Sequence, residues 1–207
     1  EKFVGNDGLD SFGNSVVVSG NVDRTESAEL FASNPLPGDE FGVSVGISGD
    51  VIVVGARQTE SPPGTRAGKA FVFRKSGSAW IQEALLLPSG IGPDDVFGFS
   101  CAVSGNVIVV CAPEEENGIG QPTGACYVYR WNGTAWIEHP NTLLASDGFV
   151  GSSYGGSVSI SGDVIVVGAT YAGKAYVYRW NGSAWIEEQI LAGIAAEWFS
   201  QAVSVSN

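Results

Sequence analysis

Thiol and imidazole chemistry in this 207-residue chain would have to run through four side chains: Cys101, Cys111, Cys126 and the single histidine, His139. A Ser-His-Asp or Cys-His pair needs His139, because no other imidazole is present to take the proton. His139 stands directly before Pro140 near the end of a strand-like run and reads as a surface or loop residue. Acid–base work is open in principle to the carboxylate runs Asp94-Asp95, Glu114-Glu115-Glu116 and Glu187-Glu188. All fall at loops or strand ends, and adjacent residues on a strand point to opposite faces, so solvated charge is the expectation. The cysteines lack the Cys-x-x-Cys spacing and the partner histidine of a metal site. The sequence therefore assigns no catalytic residue, no cofactor-binding residue and no metal ligand, and it predicts no cofactor.

Other residues point to recognition. Glu114, Glu115, Glu116 and Asn117 concentrate charge in a variable connection. With residues 57–68 they are predicted to project from one end of the molecule and carry any partner contact. Asn132-Gly133-Thr134 and Asn181-Gly182-Ser183 make Asn132 and Asn181 candidate N-glycan acceptors. Asn-Gly is equally the preferred hairpin turn, so both readings stay open. The aromatic series Tyr127, Tyr129, Trp131, Trp136 and Tyr176, Tyr178, Trp180, Trp185 is read as cross-strand packing, with a carbohydrate-stacking surface as the alternative.

The elements that carry these residues recur. Residues 157–185 read SVSISGDVIVVGATYAGKAYVYRWNGSAW, and close copies occupy residues 43–80 and 99–136. Each copy holds four strand-like runs. The opening run alternates bulk with small residues, as in Phe41, Val43, Val45 and Ile47 against Gly42, Ser44, Gly46 and Ser48. A Gly-Asp or Gly-Asn turn follows (Gly49-Asp50, Gly105-Asn106, Gly162-Asp163). The second run, VIVV, is apolar throughout and should be covered on both faces. The third, AFVF, CYVY or AYVY, has a half-buried, edge-side pattern, and the fourth opens on Trp80, Trp136 or Trp185. Four-stranded units of this size cannot bury their own faces and stack as propeller blades, whereas a sandwich gives no reason for its strands to repeat.

On this frame the cysteines replace Val45 and Val158, Gly55 and Gly168, and Ala70 and Ala175, all core positions. Small buried thiols are the leading reading, and a cross-strand Cys111–Cys126 disulfide is the alternative. The Phe/Tyr-Gly marker at Phe12, Phe41, Phe97 and Tyr154, with its variant at Phe199, gives spacings of 29, 56, 57 and 45. The first is short by about two strands. Sequence is therefore expected to be missing between Val22 and Ser27, the alternative being a degenerate blade. The predicted organisation is one β-propeller domain, or part of one, over residues 1–207. It comprises an incomplete blade (1–36), three blades (37–91, 92–148, 149–195) and the opening strand of another (196–207). Ten basic against 22 acidic residues leave a charge of −12 with no basic cluster, which excludes nucleic acid and disfavours an anionic membrane. No apolar run approaches a membrane span, so no direct insertion is expected. Met is absent and the chain opens at Glu1, which reads as a mature or partial chain and not as evidence for the cytoplasm.

The motif F-G-x-S-V-x-x-S-G-D-V-I-V-V-G-A, followed by G-x-A-Y-V-Y, resembles the FG-GAP repeat of integrin α-subunit N-terminal propellers and of many bacterial and algal surface proteins. The resemblance covers residues 10–207. It implies an all-β propeller of four-stranded antiparallel blades, of which this chain supplies part of a probable seven-blade ring. More sequence is then expected after Asn207, or failing that another chain over the exposed blade faces. Calcium-binding blades of that family carry Asp-x-Asp-x-Asp-Gly between the first two strands. Here that connection has shrunk to Ser-Gly-Asp or Ser-Gly-Asn, and one carboxylate cannot supply the six to eight oxygens Ca²⁺ takes. Asp50 and Asp163 are accordingly read as turn residues.

The expected function is a non-enzymatic binding, adhesion or structural module of an extracellular or cell-surface protein. It would contact a protein or glycan partner through propeller loops. The alternatives are a propeller-type hydrolase or lyase with a site in the central channel, and a scaffold subunit whose blade edges other chains cover. An enzyme should bring carboxylates or a metal to the first strands, which here offer aromatic, aliphatic and small residues with Ser and Cys101 but no carboxylate.

Overall fold

The computed structural model describes residues 2–3, 28–33, 36, 38–60, 66–117, 121–193 and 200–206. Two short strands, β1 (Lys2–Phe3) and β2 (Glu29–Leu30), pair in parallel at the start. Three four-stranded antiparallel meanders follow. The first holds β3 (Phe41–Ser48), β4 (Val51–Ala56), β5 (Lys69–Ser76) and β6 (Ala79–Leu86). In the second, β7 (Ser100–Ser104) and β8 (Val107–Ala112) precede a small hairpin of β9 (Glu116–Asn117) and β10 (Gln121–Pro122). Strands β11 (Ala125–Trp131) and β12 (Trp136–Glu138) complete that sheet. The third is β13 (Tyr154–Ser161), β14 (Val164–Ala169), β15 (Lys174–Trp180) and β16 (Trp185–Ala192). These sheets are the blades of a partial β-propeller.

The apolar second strands of the first two blades are covered on both faces because each of those sheets lies between two cores. Ile52 and Val54 join Phe41, Phe71 and Phe73 on one side of the first blade. Val51, Val53 and Val72 join Ile108, Val110 and Tyr127 of the second blade on the other. The next interface repeats this with Val109 and Val128 against Ile160, Ile165 and Val167. The third strands are correspondingly more buried than their alternation predicts: Ala70, Phe71, Val72 and Phe73 are all buried. The pattern of one isolated sheet undercounts the cover that a stacked neighbour supplies.

The opening strands depart from simple alternation. A bulge interrupts pairing between Phe41 and Ser44, and again between Tyr154 and Ser157. The glycine after the aromatic takes φ 91° at Gly42, 90° at Gly98 and 89° at Gly155, a conformation open to glycine at little cost. The extra residue leaves Phe41 edge-on to Phe71 and Phe73. It also turns the serine two positions beyond the glycine toward the next blade. Ser44 Oγ donates to Gly98 O at 2.9 Å, Ser100 Oγ to Gly155 O at 2.7 Å and Ser157 Oγ to Ser200 O at 2.9 Å. At the other end of the strand, Gly105 N donates to Ser48 Oγ and Gly162 N to Ser104 Oγ.

Two expectations about the chain's flanks fare differently. The proposed N-terminal opening strand around Phe12 and the gap between Val22 and Ser27 lie outside the described residues. The described part of the last segment, residues 200–206, forms no strand. It is held against β13 by the Ser157 bond and by Val205 N donating to Ser159 Oγ, and it has no ladder partner among the described residues.

Candidate functional site

At one end of the molecule the second-to-third-strand connections of the first two blades are bonded to the linker entering the next blade. Phe97 N donates to Ala67 O at 2.8 Å and Val96 N to Arg66 O at 3.2 Å. Gly151 N donates to Pro122 O at 2.8 Å, while in the third blade Tyr171 N donates at 3.2 Å to Ser152 O of the linker before its own first strand. The approach is close enough to demand glycine: a Cβ on Gly68 (φ 83°) would lie 2.0 Å from Phe97 O, and one on Gly124 (φ 80°) 2.2 Å from Tyr154 O.

Two clefts result. The larger, about 450 Å³, lies between the first and second blades and is lined by Arg57, Arg66, Asp94, Phe99, Glu114 and Glu116 among others. Arg57, Gln58 and Arg66 of the first connection thus share one cleft with Glu114 and Glu116 of the acidic run. Arg57 pairs with Glu40 and sits 4.9 Å over the Phe99 ring, and Arg66 pairs with Asp94 at 2.7 Å. Glu114 and Glu116 are exposed and have no ion-pair partner among the described residues. The smaller cleft, about 330 Å³, is lined by Glu115, Glu116, Thr123, Leu144, Ala145 and Gly148 among others.

Solvated charge is the wrong description for two of these carboxylates. Asp95 is 3% exposed. It accepts N–H bonds from Gly92 and Glu116, while burial raises its pKa above the ordinary value. Glu115 turns under its own loop, where Tyr127 hydrogen-bonds its carboxyl and Oε2 is buried without a partner. Burial, with the charges of Asp95 and Glu138, pushes this group up to about 7. Glu114 and Glu116 of the acidic run are exposed, whereas Glu115 between them is half-buried. Asn117 lies in β9, paired with Gln121.

The cysteines divide. Cys111 and Cys126 face each other across β8 and β11 and form a disulfide, so the buried-thiol reading fails for both. Cys101 is a free, buried thiol on the opposite face, its Sγ 3.3 Å from Ser44 Oγ and donating to Val53 O at 3.7 Å. Burial pushes that thiol up to about 12, far from a thiolate at neutral pH. His139 is half-buried at the sheet's outer edge, its ring edge-on to Trp180 and its Nδ1 accepting from Asn141 N. Ser44, Ser100 and Ser157 are committed to neighbouring carbonyls.

Asn132 and Asn181 are exposed on equivalent turns. Asn132 Oδ1 accepts from Thr134 N, Thr134 Oγ1 and Ala135 N, and Asn181 Oδ1 from Ser183 N, Ser183 Oγ and Ala184 N. The indoles pack between blades. Arg74 lies 4.8 Å over Trp131 and Arg130 5.1 Å over Trp180, while Trp136 and Trp185 are buried. The family-implied calcium does not fit the first-to-second-strand turns. Each offers at most one carboxylate, and Arg179 lies 3.4 Å from Asp163. No group of three or more His, Cys, Asp or Glu suited to a metal occurs among the described residues.

The linker residues Asp94, Val96 and Phe99 help line the larger cleft, a placement that the sequence did not reveal. A signal existed for Phe99: it fills the x of F-G-x-S, where the other repeats carry Val43 and Gly156. A family model described as the FG-GAP repeat matches residues 25–73, 80–129 and 138–186. Comparison with the curated proteins gives no match.

Proposed function

Those three matches span most of the chain, which therefore belongs to the FG-GAP repeat family, and we propose that it is a non-enzymatic binding module of an extracellular or cell-surface protein. Repeats of this family occur in extracellular, adhesion-type propeller domains, and the family is in general non-enzymatic. One observation carries the reading: two variable loops from adjacent blades converge on a single cleft where Glu114 and Glu116 have no ion-pair partner among the described residues. A rigid stack of sheets holding variable loops at one end is how scaffolds present contact surfaces. The buried Cys111–Cys126 disulfide supports an oxidising compartment. Asn132 and Asn181, exposed at the opposite hairpins, would carry N-glycans in a eukaryotic host without shielding the loop end.

A photoreactive amino acid at Glu116 should cross-link a protein or glycoprotein partner that the same group at Ile81, on the outer edge of the first blade, does not. Glu114→Lys combined with Glu116→Lys should then weaken that partner's binding by about tenfold or more. Unchanged affinity would remove these residues from the contact.

A further inference from the structure

Glu115 is the carboxylate out of place on the loop end. Its main chain ties the loop down: Glu115 N donates to Ala112 O, and Glu115 O accepts from Thr123 N at 3.0 Å and Gly124 N at 3.1 Å. The next residue's N–H is bound by the Asp95 carboxylate. Beneath this arm the Glu115 side chain has one favourable contact, the Tyr127 hydroxyl, and one buried oxygen with none. The charges acting on it are both acidic: Asp95 from the linker before β7 and Glu138 from β12. Across the smaller cleft Asp147 is engaged with Lys174 and Tyr176, and on the arm itself Glu114 and Glu116 face solvent. An ionised Glu115 therefore faces two carboxylates with one oxygen unsolvated, whereas its protonated form removes the repulsion.

We infer that residues 113–117 form a pH-gated arm of the contact face, seated while Glu115 holds a proton and released when that proton leaves. The gate rests on the proposed contact role only for what it controls. Glu116 borders both clefts and Glu114 the larger, so release reshapes both at once. In the seated arm the carboxyl is lifted to about 7 from an ordinary 4.5. Seating is thus fully favoured below the ordinary value, weakens as pH rises toward 7, and gains nothing further from Glu115 above it. The ratio of seated to released arm should fall on the order of a hundredfold across that window.

Amide hydrogen exchange of the whole chain, with no partner present, tests this between pH 5 and 8 after correction for intrinsic rates. Protection at Glu116, Thr123 and Gly124 should fall on the order of a hundredfold, with the steepest change below pH 7. Glu115→Gln should hold protection level across the range. A flat wild-type profile, or an unchanged pH dependence in Glu115→Gln, overturns the gate. Should that variant fail to fold, Tyr127→Phe removes the hydroxyl that favours ionisation and must move the transition to higher pH. A transition left in place overturns the inference equally. Because the readout needs no partner, loss of cross-linking at Glu116 would count against the contact role and leave the gate standing.

Discussion

Single glycines fix how closely consecutive blades approach at the loop end. Gly68 combines a positive φ with a carbonyl 2.0 Å from where a Cβ would sit, so Gly68→Ala meets strain and a backbone clash together. Gly133 has φ 102° but open space around it, so Gly133→Ala meets the strain alone. Urea denaturation should show roughly 1–2 kcal/mol lost for Gly133→Ala and about 3 kcal/mol or more for Gly68→Ala. Equal losses would mean that the inter-blade contact at Phe97 is soft. In sequence both border an aromatic strand pattern, Gly68 just ahead of β5 and Gly133 in the turn between β11 and β12. What separates them is a neighbour 29 residues away in the chain for Gly68, and local spacing does not encode that distance. The same limit hid Glu115: three consecutive glutamates read as solvated charge, and only the Tyr127 and Asp95 side chains beneath the loop distinguish the middle one.

Strands were the most legible level, because a repeated text exposes its own boundaries. The turns at Gly49, Gly105 and Gly162, the apolar second strands and the aromatic third strands all lie where the repeats place them. Facing pairs were harder, since a one-residue slip in register exchanges the faces. That is why the sequence left Cys111 and Cys126 open between two thiols and one disulfide; the ladder puts them directly opposite. Cys101, one strand away, points to the other face and cannot substitute for either. Thiol titration of the unfolded chain should find one reactive group without reductant and three after reduction. Three without reductant would refute the bridge. Cys111→Gly with Cys126→Ala writes the residues of the first and third blades into the second. It should cost about 3 kcal/mol, the loop-closure value for a separation of 15 residues. The FG-GAP matches run from the end of one sheet through three strands of the next, so the family's unit straddles the blade junction. That junction is where the serine hooks and the disulfide lie.

Across the whole molecule the two inter-blade cores define what a covered flank looks like, and the flank of the third blade does not match them. Val53 and Val72 of the first blade, and Val109 and Val128 of the second, are at most 1% exposed, each pair sealed by the next blade. Their counterparts Val166 and Val177 are only half-buried. The outer stacking breaks off at the same place. Arg74 lies over Trp131 and Arg130 over Trp180, but Arg179 is 48% exposed and engages Asp163 and Glu188 of its own sheet. Apolar surface left wet forgoes roughly 25 cal/mol per Å², so this flank favours association with whatever sheet can cover it. The 207-residue chain on its own should therefore associate, and light scattering should give a concentration-dependent mass above 21.5 kDa. Val166→Asp with Val177→Asp should return it to a monomer with little loss of stability, because both sites already meet water. Val109→Asp, in a sealed core, should unfold the chain by leaving a charge buried without a partner. A monodisperse wild-type monomer, or a Val166→Asp variant as damaged as Val109→Asp, would show that the third blade is already closed by its own chain.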